Sequence, residues 1–305
     1  MNNLESLPLV IGLGELLWDC FGDERRPGGA PANVAFQANQ LGCRGTVVTR
    51  VGRDDLGTEL LEFLKQQHLS TAYVQTDETF PTGTVTVEFT NANDPQYTIH
   101  EQVAWDHLEF NDELSALMKQ TQAVCFGTLA QREESSRESI HKCLAATNSD
   151  CLIVYDINLR QQYFDRTWIE RSLSAAKIVK LNQEEVDILS DLLNLTLGDL
   201  KQFAGHLQQA YGVEAVCITR GAEGCLIFTC DQQYDIPGTP VEVADAVGAG
   251  DAFTAALISR RLSGWPWEKA ALFANRVGGL VASHSGAMPV LRTEFEQLSQ
   301  EIQNS

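Results

Sequence analysis

The chain has 305 residues, 44% of them hydrophobic, and a net charge of −19. That supports one large domain or two smaller ones with a sizeable core, and the acid excess argues against non-specific binding to nucleic acid or an anionic membrane. An anionic ligand must then be held locally, by backbone N–H groups, a few Arg or Lys side chains, or a metal ion.

The opening "MNNLESLPLVIGLGELLWDC" has no basic segment before its apolar run, and Glu15 and Asp19 interrupt that run. It does not read as a signal peptide, no stretch is apolar enough to span a membrane, and a cytoplasmic protein is expected. "PLVIGLG" is a buried strand, "PANVAFQANQLG" a helix stopping at Gly42, "GTVVTRVG" a strand and "DLGTELLEFLKQQ" a helix. "TGTVTVEFT" alternates with period two, "NANDPQ" is a turn and "YTIHEQVAW" a second strand. This predicts an antiparallel hairpin projecting from the main sheet, with a face that covers a ligand site or a partner's equivalent sheet. Strands at "AVCFGTL", "CLIVYDIN" and "AKIVKLN" alternate with helices at "REESSRESIHKCLAATN" and "LGDLKQFAGHLQQAYG". Then come strands "AVCITRG" and "CLIFTC" and helices "DAFTAALISRRL" and "WEKAALFANRVGGLVASHS". Continuous apolar strands alternating with amphipathic helices imply a parallel sheet covered on both faces. The eight Cys include no CxxC pair and several sit in strand-like runs, which suits small buried hydrophobes in a reducing compartment. The six His are scattered and suit ordinary core or surface roles.

Two glycine stretches carry the chemistry. "DAVGAGDAF" (245–253) places Gly248, Ala249 and Gly250 just before a helix, with Asp251 in its first turn. Such a loop exposes consecutive amides at the positive end of a helix dipole, a site for phosphate or a developing oxyanion. Asp251 then serves either as a helix cap or as a general base beside that charge. It is not a Walker A loop, because GxxxxGK[ST] is absent. "RPGGAPANVAF" (26–36) places Gly28 and Gly29 before a helix with Pro31 near its start. Asn33 in that helix and Asp19 after the first strand suit a polyol, since carboxamides and carboxylates bridge adjacent hydroxyls. "DINLR" (156–160), "KLNQEE" (180–185) and "TRGAEG" (219–224) each follow a strand. Singly they read as a loop, a capped helix and a turn; jointly they collect the groups of a nucleotide–magnesium site.

On these motifs the sequence resembles the ribokinase-like, or PfkB, carbohydrate kinases. "GGAPANVAF" is similar to the family's N-terminal signature and "DAVGAGDAF" to its C-terminal one, with NxxE and TxGxxG elements between them in order, and the likeness runs from Val10 to Pro289. The resemblance implies one kinase domain over 1–305: a three-layer α/β ribokinase-like fold with a mainly parallel central sheet. It also implies a small β-sheet lid over the sugar, formed by insertions near 16–25 and 82–103; the exposed alternation of the hairpin leaves open that this sheet also pairs with its equivalent in a homodimer. The implied activity is transfer of the ATP γ-phosphoryl group to a sugar hydroxymethyl group. Asp251 matches the catalytic base, and Gly248, Ala249 and Gly250 the anion hole. Asn182 and Glu185 match NxxE, with Glu185 organising Mg²⁺ through water. Thr219, Gly221 and Gly224 match the nucleotide turn, and Asn275 lies in a helix flanking the nucleotide. Asp19, Gly28, Gly29 and Asn33 match the sugar site, and Arg160 a phosphate contact. Ala246 stands where the family has Thr, which leaves open whether K⁺ binds beside Asp245.

"GGAPANVA", "GELLWD" and "YTIHEQVAW" look closer to fructokinases than to ribokinases, so fructose is expected as the acceptor. Ribose, 2-keto-3-deoxygluconate and adenosine are the alternatives; a keto acid wants a dedicated cation, and none stands out. A sugar- or nucleotide-binding regulator without activity has no need of an intact Gly-Ala-Gly-Asp. A dinucleotide-dependent oxidoreductase needs GxGxxG after the first strand, and "GLGELL" lacks its third Gly.

Overall fold

The computed structural model describes residues 6–91, 94–195 and 198–304. The first five residues, the centre of the expected "NANDPQ" turn (92–93) and Leu197 fall outside them.

The first strand, β1 (Leu9–Leu13), is buried on both faces: Leu9, Ile11 and Leu13 pack into one core and Val10 into another. After it the chain forms the hairpin β2 (Leu17–Phe21) and β3 (Glu24–Gly28), then α1 (Ala30–Gln40), β4 (Arg44–Gly52), α2 (Asp55–Gln66) and β5 (Val74–Asp77). A second hairpin, β6 (Gly83–Asn91) and β7 (Asp94–Ile99), precedes α3 (Asp112–Met118) and β8 (Ala123–Phe126). Next come α4 (Glu134–Ala145), β9 (Leu152–Asp156), α5 (Arg166–Ala175), β10 (Ile178–Asn182), α6 (Gln183–Leu192), α7 (Leu200–Tyr211) and β11 (Ala215–Thr219). The chain ends with β12 (Cys225–Thr229), β13 (Gln233–Ile236), α8 (Ala249–Leu262), α9 (Trp267–Ala282) and α10 (Arg292–Asn304).

The large sheet runs β13-β12-β11-β10-β9-β8-β1-β4-β5. Every pairing from β11 through β5 is parallel, and only the β11–β12 and β12–β13 pairings are antiparallel. Helices α1, α8 and α9 cover one face and α4, α5 and α7 the other, giving three layers. The strand order turns back on either side of β1, which makes a switch point where the carboxyl ends of open α/β sheets bind ligands.

The small sheet runs β3-β2-β6-β7, two antiparallel hairpins joined by a parallel pairing of β2 with β6. It corrects two expected boundaries. The first segment continues past residue 25 to Gly28. The strand expected over "YTIHEQVAW" stops at Ile99, and Ala104–His107 is a turn of 3-10 helix. The return to the main body is fixed there by Asp106, whose carboxylate accepts hydrogen bonds from Arg132 Nε and Nη2, both at 2.8 Å. All eight cysteines are free thiols, six of them buried, as expected of small hydrophobes.

Candidate active site

A cleft of about 740 Å³ lies between the carboxyl ends of the large sheet and the small sheet. The region just after β1 contributes Glu15 to its wall, β2 contributes Asp19, and α1 contributes Asn33. Arg160 follows β9, Lys180 and Asn182 come from β10, and Thr219 ends β11. Gly248, Gly250 and Asp251 complete the wall from the start of α8, and Leu17, Phe21, Val85, Tyr97 and Ile99 face the cleft from the small sheet.

Asp251 lies in the first turn of α8 but does not cap it. The cap position is Gly248, in the left-handed region at φ 79°, and no side chain bonds the first-turn amides. A Cβ at Gly248 would come within 2.6 Å of the Ala287 Cα, so glycine is required for room as well as for conformation. Ala249 N donates to the Ala246 carbonyl at 3.3 Å, while Gly250 N and Asp251 N have no hydrogen-bond partner among the described residues, and such amides at the positive helix end can cradle an anion. The Asp251 carboxylate instead accepts a 2.7 Å hydrogen bond from Asn33 Nδ2, which joins the two glycine motifs in space. Burial, and after it the Asp156 charge, pushes the Asp251 carboxyl up to about 6.

Lys180 closes the other side of the cradle. Its ammonium donates to both Asp156 oxygens, at 3.0 and 3.2 Å, and a Cβ on Gly250 would lie 3.1 Å from its Nζ. Thr254 Oγ1 donates to Asp156 Oδ2 at 2.9 Å. Burial alone would lower the Lys180 pKa; Asp156, Glu185 and Asp251 outweigh it, and the ammonium stays charged. Glu15 and Asp19 are raised by burial to about 7 and about 6, with the charge of Arg160 opposing both shifts.

The remaining expected residues sit as follows. Gly29 is the α1 cap position at φ 109° and lines the cleft, whereas Gly28 packs against Asp19 behind the wall. Asn182 and Glu185 form a capping box: Asn182 Oδ1 accepts from Glu185 N at 2.9 Å, and Glu185 Oε2 accepts from Asn182 N at 2.8 Å. Glu185 Oε1 accepts from Leu159 N at 2.8 Å, so its carboxylate holds the Arg160 loop from behind the cleft wall. In that loop Asn158 and Gln161 take left-handed backbone (φ 43° and 50°), an unfavourable conformation for side-chain-bearing residues that recurs at functional sites. Ala249 begins α8 behind its two glycine neighbours. Gly221 and Gly224 form the turn beyond Thr219, and Asn275 on α9 donates to the Ile236 carbonyl at 3.2 Å; none of these three lines the cleft. Asp245 accepts from Val247 N and Gly286 N and lies 3.5 Å from Arg26 Nη1, so a cation there would compete with Arg26.

Three site residues escaped the sequence reading: Glu15, Arg26 and Lys180. Glu15 and Lys180 carried the signal of a charge just past an apolar strand, as in "GLGE", or inside one, as in "IVKLN", whereas Arg26 lies in the polar strand ERRPG and carried none. The expectation that no cation stands out for an acidic acceptor is also corrected, because Arg26 and Arg160 both line the cleft.

Residues 6–294 match the pfkB family carbohydrate kinases. The chain belongs to that family. Among its relatives, a Pyrococcus horikoshii sugar kinase is 30% identical over 305 residues, spanning 94% of each chain. Fructokinase-1 of Oryza sativa subsp. japonica is 28% identical over 310 residues, 97% of this chain and 94% of its own. A solved fructokinase of Vibrio cholerae, with fructose, ADP and calcium bound, superposes at a TM-score of 0.80 with 23% identity, covering 96% of this chain and 99% of that one. Family membership makes the protein a carbohydrate kinase.

Proposed function

We propose that the protein transfers the γ-phosphoryl group of ATP to the hydroxymethyl group of a sugar, with fructose as the preferred acceptor. The observation that carries this reading is Asp251: in the first turn of α8 it caps nothing, and it stands beside uncapped amides and Lys180 with Asn33 orienting it. As the acceptor oxygen attacks, its proton passes to Asp251, the bond from the γ-phosphorus to the bridging oxygen breaks, and ADP leaves. The amides of the Gly248–Asp251 turn and the Lys180 ammonium meet the charge on the transferring oxygens. Magnesium, when bound with the nucleotide, neutralises the phosphate charge. Both Glu185 oxygens are held by amides behind the cleft wall, so that carboxylate would serve such an ion by adding negative charge and by fixing the Leu159–Arg160 backbone beside it. The small sheet acts as a lid over the acceptor and keeps water from the phosphoryl group.

Fructose is favoured by a Gly28–Asn33 loop without Lys and by relatives named fructokinase. Arg160 and Arg26 in the cleft wall favour a second reading, an acidic sugar such as 2-keto-3-deoxygluconate. A panel of fructose, ribose, adenosine and 2-keto-3-deoxygluconate with Mg-ATP, read by coupled ADP release, decides between them. Fructose is expected to give the highest kcat/KM; a preference for another acceptor by about tenfold, about 1.4 kcal/mol of transition-state discrimination, contradicts it.

A further inference from the structure

Glu15 is 2% exposed yet belongs to the cleft wall. Its Oε1 accepts from Ala30 N at 3.2 Å, at the start of α1, while its Oε2 is buried with no hydrogen-bond partner among the described residues. Asn33, 4% exposed, repeats the pattern: its Nδ2 is committed to Asp251, and its Oδ1 is buried and unpartnered. A buried acceptor left unpaired is costly, and native proteins pair nearly all of them. Here two such oxygens share one cleft, and one belongs to the side chain that orients Asp251. The backbone holds Glu15 in place, because Gly29 passes so close that a Cβ there would lie 2.4 Å from the Glu15 carbonyl oxygen.

We propose that Glu15 is a specificity-determining residue of the acceptor site: its free Oε2 and the free Oδ1 of Asn33 take hydrogen bonds from two hydroxyls of a polyol acceptor. Asn33 thus fixes the acceptor relative to Asp251, and Glu15 selects a hydroxyl-bearing carbon over a deoxy one. An acceptor carboxylate is turned away from this end of the cleft by charge repulsion and lies toward Arg160. The proposal rests on the kinase reading above.

The test compares wild type with Glu15→Ala, using the best acceptor of the panel and its monodeoxy analogues, with ADP affinity measured by calorimetry. In the variant, assayed at pH 8 where Glu15 is ionised, KM for the parent acceptor is expected to rise roughly 10- to 100-fold, the worth of a hydrogen bond to a charged group, with kcat little changed. The penalty that wild type shows for one deoxy analogue is expected to shrink, and ADP affinity to hold. A purely structural role would leave the pattern of deoxy penalties as it was. Unchanged penalties, or a KM within about threefold of wild type, overturn the proposal. Should Glu15→Ala not fold, Glu15→Met keeps the side-chain volume and offers no hydrogen-bonding oxygen, and an undiminished deoxy penalty in it overturns the proposal equally. A wild type that phosphorylates no sugar overturns the kinase reading; an active wild type indifferent to Glu15 overturns only this inference.

Discussion

Asp251 shows what a residue's surroundings do that its identity does not. As an isolated side chain it titrates near 3.8; in the cleft, burial and the Asp156 charge raise it to about 6. A base must be deprotonated to act, so kcat/KM is expected to hold at pH 8 and to fall as pH drops through about 7 to 6. Glu15 and Asp19 titrate at about 7 and about 6, so the limb reports the cleft carboxylates together. Initial rates from pH 5 to 8 check this, and a profile flat down to pH 5 contradicts it. The place of Asp251, in the first turn of a helix after a glycine loop, was legible in the sequence, which left a cap and a base both open. Glu15, two residues past β1, and Lys180, inside β10, were not, since a single charge beside or within an apolar strand gives no sign of whether it faces a cleft. Nor could the sequence show that Asn33 touches Asp251, because that contact joins α1 to α8.

Among the elements, the long apolar strands and helices of the central layers were readable, because burial on both sheet faces imposes an unbroken pattern. The edge strands β5 (VQTD) and β13 (QYDI) are short and half polar, α3 spans only 7 residues, and α5 and α10 show too few apolar positions to stand out. The first hairpin was reached through family resemblance, although the two-residue Gly22–Asp23 loop, with Gly22 at φ 61°, is a local signal for it. The capping box of α6 ties local structure to the site. Glu185→Ala removes the acceptor of both Asn182 N and Leu159 N, and unfolding in urea is expected to show a loss of about 1–3 kcal/mol. Stability within about 0.5 kcal/mol of wild type would mean that those two bonds do not hold the Arg160 loop.

Across the whole molecule, the design brings two distant glycine motifs to one point, with a large sheet below and a small one above. That assembly has a stability cost. Glu15, Asp19 and Asp251 all have folded pKa values raised by burial, so the folded state holds their protons more tightly than the unfolded chain does. Stability attributable to them is therefore fully present below their ordinary values and is lost as pH rises through about 6 to 7. Removing the Asp251 charge should leave the fold at least as stable at pH 8, so a loss of activity there cannot be laid to unfolding. The decisive measurement is sugar-dependent ADP release by Asp251→Asn at pH 8, with its thermal midpoint and its ATP and sugar affinities measured alongside. Turnover is expected to fall by roughly 10²–10⁴ while both ligands bind as before, the mark of a lost general base. An Asn variant that folds, binds both ligands and keeps more than about a tenth of wild-type turnover would contradict the account, because no base worth that factor would have stood at position 251.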